Sequence, residues 1–224
     1  MNRLLNGVAR ALIETFDLPA PILEIGSYQV RGQEEIADLR ALLPGKDYTG
    51  LDARPGPGVD LVADAQALPH ADASVGTVIA MNALEHVPRF WRVLDEIHRV
   101  LRPDGAVLLS CPFYFRIHSY PSDYWRFTPE ALKLVLEDYP HQVIGWHGPP
   151  RRPANVWALA FREQAEPITP ERFAEYRSRL WRYARQPMSW GKRLRYRLGR
   201  WLCGRQPFAP YLDQERWESE CRTR

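Results

Sequence analysis

The sequence predicts an α/β fold: a doubly wound, mostly parallel seven-stranded sheet that closes with a C-terminal antiparallel hairpin, followed by a basic helical extension. Three observations predict it. Short apolar runs alternate with stretches of helical period, the order that βαβ units require. The runs are apolar almost throughout, as strands covered on both faces are. Two further strand-like runs, 141–148 (HQVIGWHG) and 155–163 (NVWALAFRE), are joined by the short "PPRRPA" and must therefore pair antiparallel.

Each element has its own signal. The N-terminus carries Leu5, Val8, Leu12 and Phe16 at helical spacing, with Glu14 and Asp17 interrupting what a secretory leader would need. Residues 22–26 (ILEIG) read as the first strand. Residues 33–43 read as a helix with a stripe of Ile36, Leu39, Leu42 and Leu43, stopped by Pro44-Gly45. Strands follow at 48–52 (YTGLD), 59–64 (VDLVAD) and 75–82 (VGTVIAMN). A helix over 89–101 carries Phe90, Val93, Leu94, Ile97 and Leu101 on one face, "RPDG" closes it, and 106–112 (AVLLSCP) is the fifth strand. Then comes an aromatic loop, 113–127. Thr128 and Pro129 open the next helix as N-cap and first-turn residues. After the hairpin, a capped helix begins near 169 and a second basic helix is expected over 190–203. The expected division is a body of residues 1–165 and an extension of 166–224.

Charge separates the same two parts. The chain has 224 residues with a formal net charge of +3, but 176–205 holds ten Lys or Arg and no Asp or Glu, leaving 20 basic against 27 acidic residues elsewhere. Cys111, Cys203 and Cys221 lie far apart without CxxC spacing, which makes neither a disulfide framework nor a zinc site. No apolar run reaches the length of a membrane span. The expectation is a cytoplasmic protein, with peripheral contact at the inner membrane face open to the basic segment.

Ligands of doubly wound sheets bind beyond the C-terminal ends of the strands. Glu24 lies in the first strand, Asp52 ends the second and Asp64 ends the third. A carboxylate after the second strand can accept both hydroxyls of a ribose, and one after the third can accept an exocyclic amine. The turn after the first strand has Gly26 but then Tyr28 and Val30, so it lacks the glycine fingerprint that a pyrophosphate needs. An adenosine ligand without a phosphate suits this loop better, and a nicotinamide oxidoreductase is disfavoured.

In order and spacing, the run "LEIGS…YTGLDARPGPGVDLVADAQALPHADASVGTVIAMNALEHVPRFWRVLDEIHRVLRPDGAVLLSCP" resembles the class I S-adenosylmethionine-dependent methyltransferase family, over roughly residues 20–163. The resemblance implies S-adenosylmethionine as cofactor and no metal. It places Glu24, Gly26 and Ser27 near the methionine part, Asp52 on the ribose with Ala53 beside the adenine, Asp64 and Ala65 at the adenine edge, and Asn82 and Ala83 along the methionine and methyl. The single-glycine loop departs from the family pattern at the methionine end.

The acceptor side falls to the segment after the fifth strand, "FYFRIHSYPSDYWRF", which sets His118, Asp123, Tyr124 and Arg126 among Phe113, Tyr114, Phe115, Tyr120 and Trp125. His118 is the candidate base for a hydroxyl acceptor, because its ordinary pKa lies nearest working pH. An aromatic wall with a few polar groups suits a small-molecule, saccharide or lipid-linked acceptor; the plainer alternative is a packed corner in which Arg126 pairs with Asp123 and Trp125 fills the core. "NALEH" stands where amino-methylating nucleic-acid enzymes carry an Asn/Asp-Pro-Pro-aromatic run, so nucleic acid is the less favoured partner. The Trp- and Arg-rich 176–205 segment leaves three readings: a structural appendage, an anionic membrane surface, or a nucleic-acid contact. A non-catalytic binding module on the same fold also stays open.

Overall fold

The protein is described by a computed structural model that covers residues 2–32, 34–118, 122–149, 151–185, 189–202 and 217–223. The order of elements is α1 (Arg3–Thr15), β1 (Ile22–Ile25), α2 (Glu34–Ala37), β2 (Tyr48–Asp52), β3 (Leu61–Val62), β4 (Val75–Met81), α3 (Phe90–Val100), β5 (Leu101–Pro112), α4 (Pro129–Val135), β6 (His141–His147), β7 (Asn155–Phe161), α5 (Pro170–Ala184), α6 (Trp190–Leu202) and β8 (Trp217–Thr223). The strands form one sheet in the order β3-β2-β1-β4-β5-β7-β6-β8. The first five pair in parallel, and β7, β6 and β8 are antiparallel. The expected architecture is therefore present, with the reversal of strand order between β1 and β4 where a ligand crevice belongs.

Three details differ from expectation. The sheet has eight strands among the described residues, because the tail returns as β8 along the free edge of β6. Its sequence, WESECRT, reads as polar surface, which is what a strand paired on one side permits. The helix expected over 33–43 is broken into α2 and a single 3-10 turn, Arg40–Leu42. The Asp38 carboxylate accepts the Arg40 backbone N–H at 3.0 Å, so a local side-chain bond displaces the helical one, while Leu39 and Leu43 still reach the core. The strand expected over 59–64 shrinks to two residues because the Asp60 carboxylate is engaged by the Gly50 N–H at 2.7 Å and by Arg40.

One apolar layer packs on each face of the sheet. On one side α3 contributes Val93, Ile97 and Val100, with Leu132 of α4. On the other, α1 and α5 lie together: Leu5, Val8 and Leu12 of α1 meet Tyr176, Leu180 and Ala184 of α5, spaced four apart on one helical face. Gly7 permits the contact, since a β-carbon there would lie 2.5 Å from the Tyr183 carbonyl oxygen. Trp157 of β7 is fully buried and donates its indole N–H to the Tyr176 hydroxyl at 2.9 Å, so α5 is fastened to the sheet by a satisfied polar bond. Among the described residues no helix is long and apolar enough to cross a membrane. Cys111 is a buried free thiol, Cys221 is half-buried, and Cys203 lies outside the described residues.

Candidate functional site

The C-terminal ends of β1, β2, β4 and β5 meet along one edge. Gly26 takes a left-handed conformation, φ 81°, and a β-carbon on it would stand 2.9 Å from the β-carbon of Ala83. The turns after β1 and β4 are thus in direct backbone-to-side-chain contact, which only glycine allows at this φ without strain. Asn82 is also left-handed, φ 55°, held there by two bonds to β5: its N–H donates to the Ser110 carbonyl at 2.9 Å and its Oδ1 accepts from the Ser110 hydroxyl at 2.8 Å. Backbone outliers that their surroundings hold in place concentrate at ligand sites.

Asp52 ends β2 half-buried, accepting the Arg54 N–H at 3.0 Å with the Arg54 guanidinium 3.6 Å away. Ala53 is exposed beside it. Asp64 is exposed and accepts the backbone N–H of Gln66 at 2.9 Å, closing its own turn, while Ala65 sits in the core. Gly26, Ala53, Asn82 and Ala83 thus follow the ends of β1, β2 and β4, Asp52 ends β2, and Asp64 lies two residues past β3.

Glu24 and Ser27 lie elsewhere. The Glu24 carboxyl is buried within the sheet, accepts the Tyr48 hydroxyl at 2.6 Å and is raised by burial to about 7. The Ser27 hydroxyl is buried against Gly50 without a hydrogen-bond partner. Tyr28, standing where a second glycine would be, lays its ring on Gly56 and under the Arg54 guanidinium, 4.7 Å from the ring centre, and the Gln29 N–H donates to the Pro57 carbonyl at 2.9 Å. The chain after Gly26 thus runs beside the 54–58 loop, and Tyr28 is held against that loop.

The aromatic loop folds over the ends of β4 and β5. The Tyr124 N–H donates to the Glu85 carbonyl at 2.8 Å, and the Trp125 indole donates to the Val87 carbonyl at 3.0 Å. The Trp125 ring meets Phe90 and Trp91 edge-on at 5.1 and 6.1 Å, so it serves as the corner's packing group. Asp123 is the polar centre. Its carboxylate takes both terminal nitrogens of Arg126, the His118 backbone N–H at 2.8 Å and His118 Nδ1 at 2.9 Å. The Arg126 guanidinium foremost, then the His118 groups, hold Asp123 well below the usual carboxylate range. His118, Asp123 and Arg126 are brought together as the sequence suggested, and Tyr124, Tyr114 and Phe115 are exposed nearby. Tyr120 lies outside the described residues.

Glu85 and His86 were the groups sequence reading undervalued. Glu85 is fully buried, neither carboxyl oxygen has a hydrogen-bond partner, and burial pushes it up to about 8. His86 Nδ1 lies 2.6 Å from the Ser122 carbonyl oxygen, and burial lowers its pKa. The rings of His86 and His118 meet edge-on at 4.9 Å. The one available signal was an acid beside a histidine in "NALEHV", directly after an apolar strand. Two grooves, about 340 Å³ beside Phe16 and Lys46 and about 240 Å³ beside Leu94 and Tyr139, lie away from this edge; the donors and acceptors, not groove volume, mark the site.

Comparison with known proteins agrees with this fold. Residues 23–109 match the model of a methyltransferase domain. An uncharacterized methyltransferase of Mycobacterium marinum is 47% identical over 55 residues, 25% of this chain and 22% of that protein, so the match spans less than a quarter of the relative's length. A crystal structure of an S-adenosylmethionine-dependent methyltransferase from Archaeoglobus fulgidus superposes with TM-score 0.56 at 16% identity, covering 71% of this chain and 93% of that one. The 1,6-didemethyltoxoflavin-N1-methyltransferase of Burkholderia thailandensis, solved with bound 1,6-didemethyltoxoflavin and S-adenosylhomocysteine, superposes with TM-score 0.53 at 19% identity over 71% of this chain and 79% of that one. At such identities the superpositions speak for the fold. Residues 23–109 are thus similar to a methyltransferase domain, on a fold shared with S-adenosylmethionine-dependent methyltransferases.

Proposed function

We propose that this chain transfers a methyl group from S-adenosylmethionine to a hydroxyl of a small-molecule, saccharide or lipid-linked acceptor. The observation that carries the reading is the shared edge: Asp52 at the end of β2, the Gly26–Ala83 contact between the β1 and β4 turns, and the His118–Asp123 pair on the loop after β5. The residues fit the cofactor at its adenosine end, where Asp52 can accept a ribose diol and Asp64 and Ala65 border the base. At its methionine end the fit rests on Gly26, Asn82 and Ala83, because Glu24 and Ser27 turn into the interior.

The bound cofactor supplies an activated methyl carbon on a sulfonium. The protein's part is alignment and handling of the acceptor proton. Asp123, ionised and fixed by Arg126, holds the proton of His118 on Nδ1, which leaves Nε2 as the lone pair able to take a proton from a hydroxyl. Tyr124, Tyr114 and Phe115 offer faces on which a sugar or aromatic acceptor can rest.

Calorimetric titration with S-adenosylmethionine and S-adenosylhomocysteine tests the reading. Micromolar binding is expected, weakened about thirtyfold or more in Asp52→Ala, since losing hydrogen bonds to a charged group costs roughly 2 kcal/mol. Binding of neither ligand would abandon catalysis in favour of a binding module.

One observation favours a second partner. Trp190, Leu194, Leu198, Trp201 and Leu202 form an exposed stripe on α6, with exposed Arg193, Arg195 and Arg197 on the same helix. That pattern suits an anionic membrane surface, which fits a lipid-linked acceptor.

A further inference from the structure

The site carries a cluster of donors, of which the methyl transfer proposed above uses only His118. One carboxyl oxygen of Glu85 and one nitrogen from each of His86 and His118 lie within 4.8 Å of one another. Glu85 Oε1 is 3.9 Å from His86 Nε2. Both imidazoles are set in the same way. The Ser122 carbonyl can only accept, so the His86 proton sits on Nδ1 and Nε2 keeps its lone pair. The ionised Asp123 likewise draws the His118 proton to Nδ1. An oxygen acceptor behind each ring is the arrangement that orients metal-bound histidines and raises their basicity.

Glu85 adds an independent observation. It is fully buried with both oxygens unpartnered. An unpaired buried carboxyl is costly, charged or neutral, and proteins normally satisfy it with a donor or a cation. Among the described residues no Lys or Arg forms an ion pair with it, the Arg126 charge acts on it only through space, and His86 Nε2 lies 3.9 Å away.

We propose that Glu85, His86 and His118 form a binding site for a divalent first-row transition metal with the chemistry of Zn²⁺. Two imidazole nitrogens and a carboxylate oxygen, with a further position open, are a donor set that zinc accepts with bonds of about 2.0–2.2 Å. Tetrahedral bonds of that length bring the donors to about 3.4 Å from one another, so the longest separation must close by about 1.4 Å. Glu85 Oε1 and His86 Nε2 are already 3.9 Å apart, so that closure falls to His118 on the loop after β5. The bound cation displaces the Glu85 proton to solvent and gives the buried carboxylate a partner. The cation and a proton compete for the same His118 lone pair, a consequence that rests on the base role proposed above, whereas metal binding itself does not.

The full-length protein, stripped with chelator, is titrated calorimetrically with Zn²⁺ and followed in parallel by visible absorption with Co²⁺. One site per chain and an intense low-coordinate Co²⁺ spectrum are expected. Glu85→Gln and His118→Ala should each weaken Zn²⁺ at least about a hundredfold, beyond the 10–100-fold typical of outer-shell losses. His98→Ala and Cys221→Ser, on residues away from the cluster, should leave it unchanged. If Glu85→Gln does not fold, as judged by its thermal transition, His118→Ala alone decides. No Zn²⁺ binding tighter than about millimolar, or tight binding that survives His118→Ala, overturns the proposal. S-adenosylhomocysteine titration of the same unmodified samples reads the cofactor site separately, so a failure of one proposal is not mistaken for a failure of the other.

Discussion

Glu24 sits inside the central sheet, where its ionisation must work against burial. Tyr48 donates to it and Arg40 lies near, both favouring the carboxylate, but burial prevails and Asp38 adds to it, raising the group to about 7 from an ordinary 4.5. The unfolded chain releases this proton near 4.5 and the folded chain only near 7. The stabilisation is therefore complete below the unfolded value and is lost as pH rises through the folded one, about 3 kcal/mol in all. Glu24→Gln should flatten this part of the pH profile and raise stability above pH 7 relative to the parent, measured by urea denaturation at about pH 5 and pH 8; parallel profiles for the two proteins would refute it. Gly26, Asp52 and Asp64 could be read directly from the chain because each ends an apolar run, and a strand end is a local property. Glu85 could not. The Tyr124 backbone N–H returns to the Glu85 carbonyl from far along the chain, and no local pattern announces that return. Glu24 was legible as a residue but not in role, since only the pairing of β1 with β2 brings Tyr48 onto it.

At the scale of elements, periodicity located α3, β4, β5 and the β6–β7 hairpin because their signals lie within a single segment. It failed where side chains compete with the backbone, as at Asp38, and where an element is stabilised mainly by its neighbour, as is β8. That strand gains its order from seven paired residues along β6, from Trp217 and Cys221 packed at the core's margin, and from the Lys133–Glu220 ion pair. It also covers an edge that would otherwise offer unpaired donors and acceptors to other chains. Truncation before Trp217 is expected to cost roughly 2 kcal/mol from the lost apolar contact, lowering Tm by about 4–8 °C, and to cause concentration-dependent association. Calorimetry and light scattering measure the two effects. A truncated chain that stays monodisperse with unchanged Tm would show that β8 adds nothing to the sheet.

For the whole molecule the governing feature is the uneven distribution of charge, legible from composition alone. A body with 20 basic and 27 acidic residues carries a segment, 176–205, with ten basic residues and no acidic ones. The structure divides that segment by what its helices bury. In α5 the apolar face is consumed by α1, through Tyr176, Leu180 and Ala184. In α6 the apolar stripe remains exposed, with Trp190 77% and Trp201 80% accessible. A structural appendage accounts for α5 but leaves the α6 stripe without a partner among the described residues. An anionic bilayer offers an apolar boundary for the tryptophans and phosphates for the basic side chains, at about 1 kcal/mol per basic residue near the surface. Co-sedimentation with vesicles rich in phosphatidylglycerol should therefore exceed that with phosphatidylcholine vesicles, and raising the salt to about 0.5 M should weaken it by screening. Leu198→Glu should lower partitioning at least tenfold while leaving S-adenosylhomocysteine affinity unchanged, because α6 contributes no residue to the candidate cofactor site. Equal binding to both lipids would remove the electrostatic half of the argument. Binding to single-stranded nucleic acid that Leu198→Glu does not disturb, without vesicle binding, would instead assign the arginines to a phosphate backbone and leave the apolar stripe without a role in it.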